Sequence, residues 1–394
     1  MMKKMSLLAL ATTLVLGLGS CSKNSNESPQ QPDGTTRLKI QLAGVKAPNT
    51  RALESPADEN DLTVVESRSL IFVADPTDQI VQVVNIVLDE ATSNPGQVLD
   101  LPVPLGSSVY VVANIPTADY TTLHGKQTLT DLKAAVSQIT TQQATEVAEY
   151  QSPVIANLDG TEALVPTTDT GGDGVETVSI EVEPLISRLE VVSLEADEDP
   201  QGYLITDFEV TGIFIDEYFP AFTYTGAASG SAISLIEALE TAAGDASATA
   251  AVYTGWEMKD DADGPWSADG SPALVQPGGG DVWAYNLVAG GLPRIVIRLD
   301  NIEYTNPAGQ TGLELTGARY ITVEGYTGSK GSISSFDRGE VYRVGTIDTD
   351  TGESNFKFNF SHLGLTPDEQ SVSLTVSVEV LPWNVEDYVP ILKP

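Results

Sequence analysis

The sequence is poor in the residues that most catalytic, redox and metal-binding sites need. Among its 394 residues there are one cysteine and two histidines. This supply is too small for a Cys/His metal site, a redox-active cysteine pair or a disulfide framework. The chain also has no Gly-x-Ser-x-Gly, no Walker loop, and no Gly-x-Gly-x-x-Gly placed between a strand and a helix. We therefore expect a protein that is not an enzyme and that carries no cofactor and no metal.

Positive charge is scarce as well. Twenty Lys and Arg residues stand against 55 Asp and Glu residues, and the formal net charge is −35. Nucleic-acid binding needs clustered Lys and Arg at the phosphates, and attraction to an anionic membrane surface needs a basic patch. Both classes are disfavoured. Hydrophobic residues make up 41 % of the chain, which is enough for sizeable cores, and the length allows two or three domains at roughly 150 residues each.

The single cysteine lies at the end of a secretory signal. Residues 1–20 combine two early lysines with an apolar run over 7–18, which is too short and too early for a transmembrane helix. The Leu-Gly-Ser-Cys run that ends at Cys21 resembles the lipobox of bacterial lipoproteins, in which the cysteine is lipidated and becomes the new N-terminus. An ordinary signal peptide with a chance cysteine is the alternative. We expect an exported outer-membrane lipoprotein precursor, with palmitate on Cys21.

The segment after the cysteine predicts a tether, one strand and a loop. Residues 22–34 are polar and contain two prolines, which favours a flexible tether. Over residues 37–43, apolar and polar side chains alternate with the period of a half-buried strand. The apolar positions of this strand are Leu38, Ile40 and Leu42. Residues 44–61 contain glycine, prolines and an acidic stretch, and they predict a loop.

The remainder of the chain predicts an all-β protein of packed antiparallel sandwiches, with short strands separated by Gly, Pro and Asp turns. Strands are predicted over 62–74, 79–88, 107–114, 175–183, 187–194, 204–215, 281–287, 293–304, 319–326, 340–347, 356–360 and 371–381. One helix is predicted over 128–139, with Thr130 or Asp131 as its cap and Leu132, Val136 and Ile139 on one face. A second helix is predicted over 231–241. A domain boundary is expected between residues 184 and 185.

Three other groups of residues have the chemistry of a site. His124 and His362 have no motif partner, and we interpret both as surface or structural residues. Aspartates cluster at Asp169/Asp173, at Asp260/Asp261/Asp263 and at Asp348/Asp350. These clusters lack the spacing of a calcium loop, so solvated turns are favoured over cation sites. Trp256, Trp266 and Trp283 lie in or near Gly/Pro loops, where core-edge packing is favoured over stacking on sugars.

Several short signatures, taken in order, resemble those of the fimbrillins, the lipoprotein-precursor subunits of type V pili. They are the lipobox at Cys21, NTRAL at 49–53, VYVVAN at 109–114 with the helix that follows, ISRLEV at 186–191, RGEVYRV at 338–344, and the strand 376–381 before Pro382-Trp383. Together they cover nearly the whole chain.

This resemblance implies how the chain is exported, processed and assembled. It implies a signal peptide over 1–20, a lipidated propeptide over 21–51, and two transthyretin-like sandwich domains over 52–184 and 185–394. It also implies cleavage between Arg51 and Ala52, loss of the first strand, and polymerisation by donor-strand exchange. The implied partners are other pilin subunits, an arginine-specific protease, and a host protein or glycan receptor. The donor segment carries over to the C-terminal tail, residues 384–394, where the candidate donor residues are Val385, Tyr388, Val389, Ile391 and Leu392.

The basic residues near the N-terminus narrow the choice of cleavage site. A cut at Arg37 would leave the first strand attached, and Arg68 lies inside a predicted strand that would hide it from a protease. Arg51 lies between two prolines in a predicted loop, where nicking is easiest. Lys46 remains an alternative for a lysine-specific enzyme.

Two other functions remain open besides a pilin. One is a surface lipoprotein that stays anchored, either as a pilus anchor or as an adhesin, and the other is a glycan-binding lipoprotein that uses the tryptophan loops. A pilin is cut and released from its lipid, whereas an anchored lipoprotein keeps it. A glycan array with the soluble domain tests for the glycan-binding lipoprotein.

Overall fold

The computed structural model describes residues 35–44, 68–87, 98–139, 153–158, 163–165, 175–234, 266–267, 283–366, 374–382 and 391–392. In these residues the chain is all-β with two short helices, which confirms the predicted fold class. The strands are β1 (Thr35–Gly44), β2 (Ser69–Ala74), β3 (Ile80–Val87), β4 (Val98–Pro104), β5 (Ser108–Ala113), β6 (Val136–Gln138), β7 (Ile155–Ala156), β8 (Ala163–Leu164), β9 (Val175–Pro184), β10 (Ile186–Val191), β11 (Leu194–Ala196), β12 (Leu204–Asp216), β13 (Ala221–Thr223), β14 (Ala228–Ser229), β15 (Trp266–Ser267), β16 (Trp283–Val288), β17 (Arg294–Thr305), β18 (Leu313–Glu314), β19 (Arg319–Gly328), β20 (Gly331–Ile333), β21 (Glu340–Val344), β22 (Lys357–Phe358), β23 (Leu374–Pro382) and β24 (Ile391–Leu392). The helices are α1 (Thr117–His124) and α2 (Leu129–Lys133), and one 3₁₀ turn spans Phe360–His362.

The first large sheet has the strand order β24-β3-β2-β5-β7-β9-β1-β4, with β8 paired to β5. It begins with the antiparallel hairpin β2–β3, whose turn is closed by one side chain. The Asp75 carboxylate accepts hydrogen bonds from the backbone N–H groups of Thr77 at 2.8 Å and Gln79 at 3.0 Å. Asp78 in the same turn has a φ of 73°, a left-handed conformation that Asp tolerates better than most residues.

The second large sheet has the order β12-β17-β19-β23-β21-β10-β16, with β18 on β17 and β20 on β19. The late strand β23 lies inside it, parallel to β19 and antiparallel to β21. Strand β21 ends at Val344 and is followed by Gly345, which has a φ of 81°. A Cβ at this position would lie 2.6 Å from the nitrogen of Ser193, so only glycine fits there.

The chain passes from the first sheet to the second within one residue. Strand β9 ends at Pro184 and β10 begins at Ile186. This is the position of the predicted domain boundary, and the boundary itself stays a prediction. The buried hydrophobic residues on either side of it, including Ile180 and Leu189, belong to one contiguous cluster.

The predicted helix over 128–139 is wrong in its length and its cap. Helix α2 covers only Leu129–Lys133, and its N-cap is Thr128, whose hydroxyl accepts from the N–H of Asp131 at 3.0 Å. Val136 lies instead in β6, is 44 % exposed, and pairs with Thr223 of β13. The β-branched residues after Lys133 suit a strand, and pairing with β13 overrides the helical spacing.

Two further differences concern helices. Helix α1 was not predicted, because Leu123 is its one buried residue and no apolar stripe marks it. The helix predicted over 231–241 is not present in its first four residues, where Ile233 forms an isolated bridge with Tyr218. The remainder of that segment lies outside the described residues.

Candidate functional site

The first strand, β1, is an interior strand of the first sheet. Strand β9 runs parallel to it on one side, from the pair Arg37–Val175 to the pair Gly44–Val182, and β4 runs antiparallel to it on the other. Among the described strands, β4 pairs with β1 alone. Loss of β1 would therefore open the sheet and leave the facing edges of β9 and β4 without a partner.

The side chains of β1 contribute to the core. Leu38 and Ile40 are fully buried, and the backbone of Leu42 pairs with buried Ile180 on β9. Full burial of a side chain of this size stabilises the folded state by about 1.5–3 kcal/mol. Leu38 and Ile40 together therefore contribute about 3–6 kcal/mol before the entropy cost is subtracted. This amount approaches the whole stability of a small domain, about 5–15 kcal/mol.

The two halves of β1 are held differently. The pairs with β4 end at Lys39–Val98, after a register shift between Thr36 and Leu38. From Ile40 onwards β1 has pairs with β9 only, within the described residues. Within the described residues, the half of β1 that lies nearer to Arg51 in the sequence therefore pairs with one strand, whereas the other half pairs with two.

The C-terminal tail reaches the first sheet at its opposite end. Strand β24 pairs antiparallel with β3, with Ile391 opposite Val87 and Leu392 opposite Ile86. Strands β2, β5, β7 and β9 lie between β3 and β1 in the sheet order. Ile391 and Leu392 thus belong to the same sheet as β1, with five strands between β24 and β1.

Most of the other predicted site residues lie outside the described residues. They are Cys21, Lys46, Arg51, Ala52, Val385, Tyr388 and Val389. Lipidation, cleavage and the donor role of the tail therefore stay predictions.

Arg68 is held by the fold, which supports its exclusion as a cleavage site. It directly precedes β2 and is half-buried. Its Nε donates a hydrogen bond to the backbone carbonyl oxygen of Ile115 at 2.9 Å. A protease would have to break this contact to bind the side chain.

Both histidines occupy structural positions. His362 closes the 3₁₀ turn, where its Nδ1 accepts a hydrogen bond from the N–H of Asn359 at 3.0 Å. Burial lowers the pKa of His362 below its usual value, and the nearby charge of Asp199 offsets part of this by raising the pKa. His124 ends α1 beside the ring of Tyr120, with ring centroids 6.4 Å apart.

The one described aspartate cluster is a turn. The Asp348 carboxylate accepts from the N–H groups of Asp350 at 2.8 Å and Thr351 at 3.1 Å, and these donors lower its pKa. No group of three or more His, Cys, Asp or Glu residues in the described part of the chain is arranged to hold a metal ion. The other two aspartate clusters lie outside it.

The tryptophans that can be placed lie in strands rather than in loops. Trp266 belongs to β15 and Trp283 to β16, while Trp256 lies outside the described residues. Within the described residues, no helix is long and apolar enough to cross a membrane.

Sequence reasoning missed a buried ionic network in the second sheet. Glu190 is completely buried; its Oε1 is 2.7 Å from Nε of Arg188, which is 1 % exposed, and its Oε2 is 2.9 Å from Nε of Arg343. Arg343 also reaches the exposed Glu379 at 3.6 Å. The signal was available, because 186–191 and 338–344 each carry charged residues within apolar strands.

A second missed network joins the two halves of the chain. The Asp119 carboxylate in α1 accepts hydrogen bonds from the hydroxyls of Ser137 and Tyr224, the latter at 2.8 Å. Burial and the charge of Asp119 raise the pKa of Tyr224, so its hydroxyl stays protonated as a donor. Strand β6, which contains Ser137, also pairs with β13, which directly precedes Tyr224. The segment after α2 is therefore joined to β13 by backbone pairing as well as by this cluster.

No protein-family model matches the sequence, and no curated protein matches it. Solved structures do match it. A candidate cell adhesion protein from Parabacteroides distasonis superposes with a TM-score of 0.54 at 12 % identity, covering 89 % of this chain and 99 % of the other. The two chains therefore share a fold over nearly their whole length.

Two fimbrial proteins from Porphyromonas gingivalis are also similar, as the sequence motifs predicted. A fimbrilin has a TM-score of 0.49 at 14 % identity, with 89 % of this chain and 98 % of the other covered. The tip fimbrial protein Mfa3 has a TM-score of 0.41 at 10 % identity, with 89 % and 100 % covered. Fimbrial proteins are thus among the solved structures that resemble this chain.

Proposed function

We propose that this chain is a structural subunit of cell-surface fimbriae that supports adhesion. In this proposal it is exported as a lipoprotein through Cys21, cleaved between Arg51 and Ala52, and polymerised by donor-strand exchange. The observation that carries the proposal is β1, an interior strand with two fully buried side chains that precedes the predicted cleavage loop in the sequence.

The physical logic follows from removal of that strand. A cut after Arg51 separates β1 from the rest of the chain, and its loss opens a groove between β9 and β4. The groove presents unpaired backbone groups, and the buried apolar residues Val178 and Ile180 of β9 lie along its side. An extended segment of another subunit fits such a groove by strand addition. Because this contact joins two different surfaces head to tail, it does not close on itself and builds a filament.

The fold and the composition support a structural role over an enzymatic one. The fold matches that of a candidate cell adhesion protein. Cleavage after Arg51 would remove seven of the 20 basic residues but only two of the 55 acidic ones, and the strongly acidic remainder suits a solvated extracellular surface. The partners in this proposal are other pilin subunits, an arginine-specific protease, and a host protein or glycan receptor.

The test is the N-terminus of the mature protein. Protein released from the cell surface is purified, its intact mass is measured, and its N-terminus is sequenced. We expect a chain that begins at Ala52 and carries no lipid. A surface form that keeps a lipidated Cys21 would contradict the proposal and would indicate an anchored lipoprotein instead.

A further inference from the structure

The outer edge of β3 pairs with the C-terminal strand β24. On its inner side, β3 pairs with β2 from Ile86–Ser69 to Ile80–Ala74. On its outer side it pairs with β24 at Val87 and Ile86, and at its other end the N–H of Ile80 donates a hydrogen bond to the carbonyl oxygen of Gln127 at 2.8 Å. The strand is therefore an edge that accepts an added strand, and the added strand is the C-terminal tail of the same chain.

The tail residues that pair with this edge are also part of the proposed donor segment. Ile391 and Leu392 belong to the tail that the proposed function assigns as donor, and their backbones are paired with β3 here. The groove that accepts a donor tail opens at the position of β1 in a neighbouring copy, whereas β3 lies five strand steps from β1 within its own sheet. One tail cannot occupy its own β3 edge and a groove at the same time.

We propose that the β3 edge is an intramolecular docking site that holds the C-terminal tail in the unassembled subunit. This inference rests on the proposed function. Assembly then requires that Ile391 and Leu392 leave β3 before the tail enters the groove of a neighbouring copy. Within the described residues, two residue pairs hold the tail on β3, and the contact is readily exchanged for the longer pairing that a groove offers.

The docking site can be locked because the chain has one native cysteine, Cys21. In a full-length Cys21→Ser background, the pair Val87→Cys with Ile391→Cys places two thiols at directly opposed positions of an antiparallel ladder, within the Cα separation that a disulfide spans. The matched control pairs Val81→Cys with Ile391→Cys, since Val81 lies on the same strand but six residues away.

The protein is oxidised, cut after Arg51 to start assembly, and followed by non-reducing gels, mass spectrometry and electron microscopy. We expect an intrachain disulfide in the 87/391 variant, loss of filaments while it is oxidised, and recovery of filaments on reduction. The 81/391 control carries the same change at the donor residue Ile391, so it sets the reference level of assembly. It should form little intrachain disulfide and should assemble to the same extent when oxidised and when reduced. An 87/391 variant that forms no more disulfide than the control, or that assembles equally well when oxidised, would overturn the inference.

The outcome separates this inference from the proposed function. If reduced 87/391 protein and the Cys21→Ser background both stay monomeric after cleavage, the proposed function fails, while the disulfide yield still reports whether the tail docks on β3.

A second variant tests release of the tail without a crosslink. Val87 lies one residue beyond the last pair with β2, so Val87→Pro should weaken only the tail contact and shorten the lag before filaments appear. An unchanged or longer lag counts against docking.

Discussion

Glu190 on β10 accepts a hydrogen bond from Arg343 on β21, with 2.9 Å between Glu190 Oε2 and Arg343 Nε. The two residues lie directly opposite each other in the parallel ladder, although they are far apart in the sequence. The other oxygen of Glu190 contacts Arg188, so one buried carboxylate is paired with two guanidinium groups. Because a shift by one residue would separate these charges, the network specifies the register of β10 on β21.

We expect Glu190→Gln to destabilise the protein strongly. The substitution removes the carboxylate but leaves Arg188 in an environment where it is 1 % exposed, and breaking a buried ion pair in this way costs about 3–5 kcal/mol. Urea unfolding of the purified chain measures the loss. The control is Glu379→Gln, since this partner of Arg343 is 46 % exposed and should matter by less than about 1 kcal/mol. Equal effects of the two substitutions would contradict the assignment.

Ile40→Ala should destabilise the precursor but not the filament. Ile40 is fully buried in the uncut chain, and truncation of such a side chain costs about 2–5 kcal/mol. After cleavage β1 is absent from the subunit, so filaments grown from the variant should dissociate in urea at the wild-type concentration. Val81→Ala on an exposed position is the control, with an expected change within about 0.5 kcal/mol. Filaments that are weakened as much as the precursor would mean that β1 is retained.

Arg51→Ala should block maturation. Without the cut, β1 keeps its place between β9 and β4, and the groove never opens. The variant should accumulate as uncleaved monomer, which immunoblotting of cell fractions and electron microscopy of the surface would reveal. Lys46→Ala serves as the control and should be processed normally. Normal filaments from Arg51→Ala would indicate another cleavage site or another mode of assembly.

Cys21→Ser should abolish lipidation and misroute the precursor, because stable anchoring needs more than one acyl chain and all of them depend on this residue. Metabolic labelling with palmitate followed by fractionation measures both effects. A Ser22→Ala variant controls for changes beside the cleavage position and should label normally. Palmitate incorporation into the Cys21→Ser protein at the wild-type level would refute the lipobox interpretation.

Deletion of residues 384–394 should leave a folded, exported and cleaved subunit that cannot extend a filament through its donor end. The tail includes β24, which contributes no pairs to the second sheet, so the folded core should survive. Truncated and intact cleaved subunits are mixed and imaged, and truncated protein should shorten the filaments. Filaments of normal length from truncated protein alone would exclude the tail as donor and would direct attention to β23.

The segment that contains α2 and β6 shows a feature that side-chain spacing alone does not predict. Leu132, Val136 and Ile139 have the spacing of an amphipathic helix, and Leu132 and Ile139 are indeed buried. The helix nevertheless ends at Lys133, because residues 136–138 pair with a strand some 85 positions later in the chain. Spacing alone does not distinguish the two arrangements, since only the presence of β13 makes the strand favourable.

The sequence by itself determined the all-β class, most of the long strands and the alternation that buries Leu38 and Ile40, because these depend on the period of neighbouring side chains. It also shows the fimbrillin-like order of motifs and the scarcity of cysteine and histidine, and it predicts a secretory signal. Only the tertiary structure decided that β1 lies between a parallel and an antiparallel neighbour, that β24 lies on β3, and that Glu190 meets Arg343. Each of these depends on pairing between segments distant in the chain, and local periodicity carries no information about which strand becomes the partner.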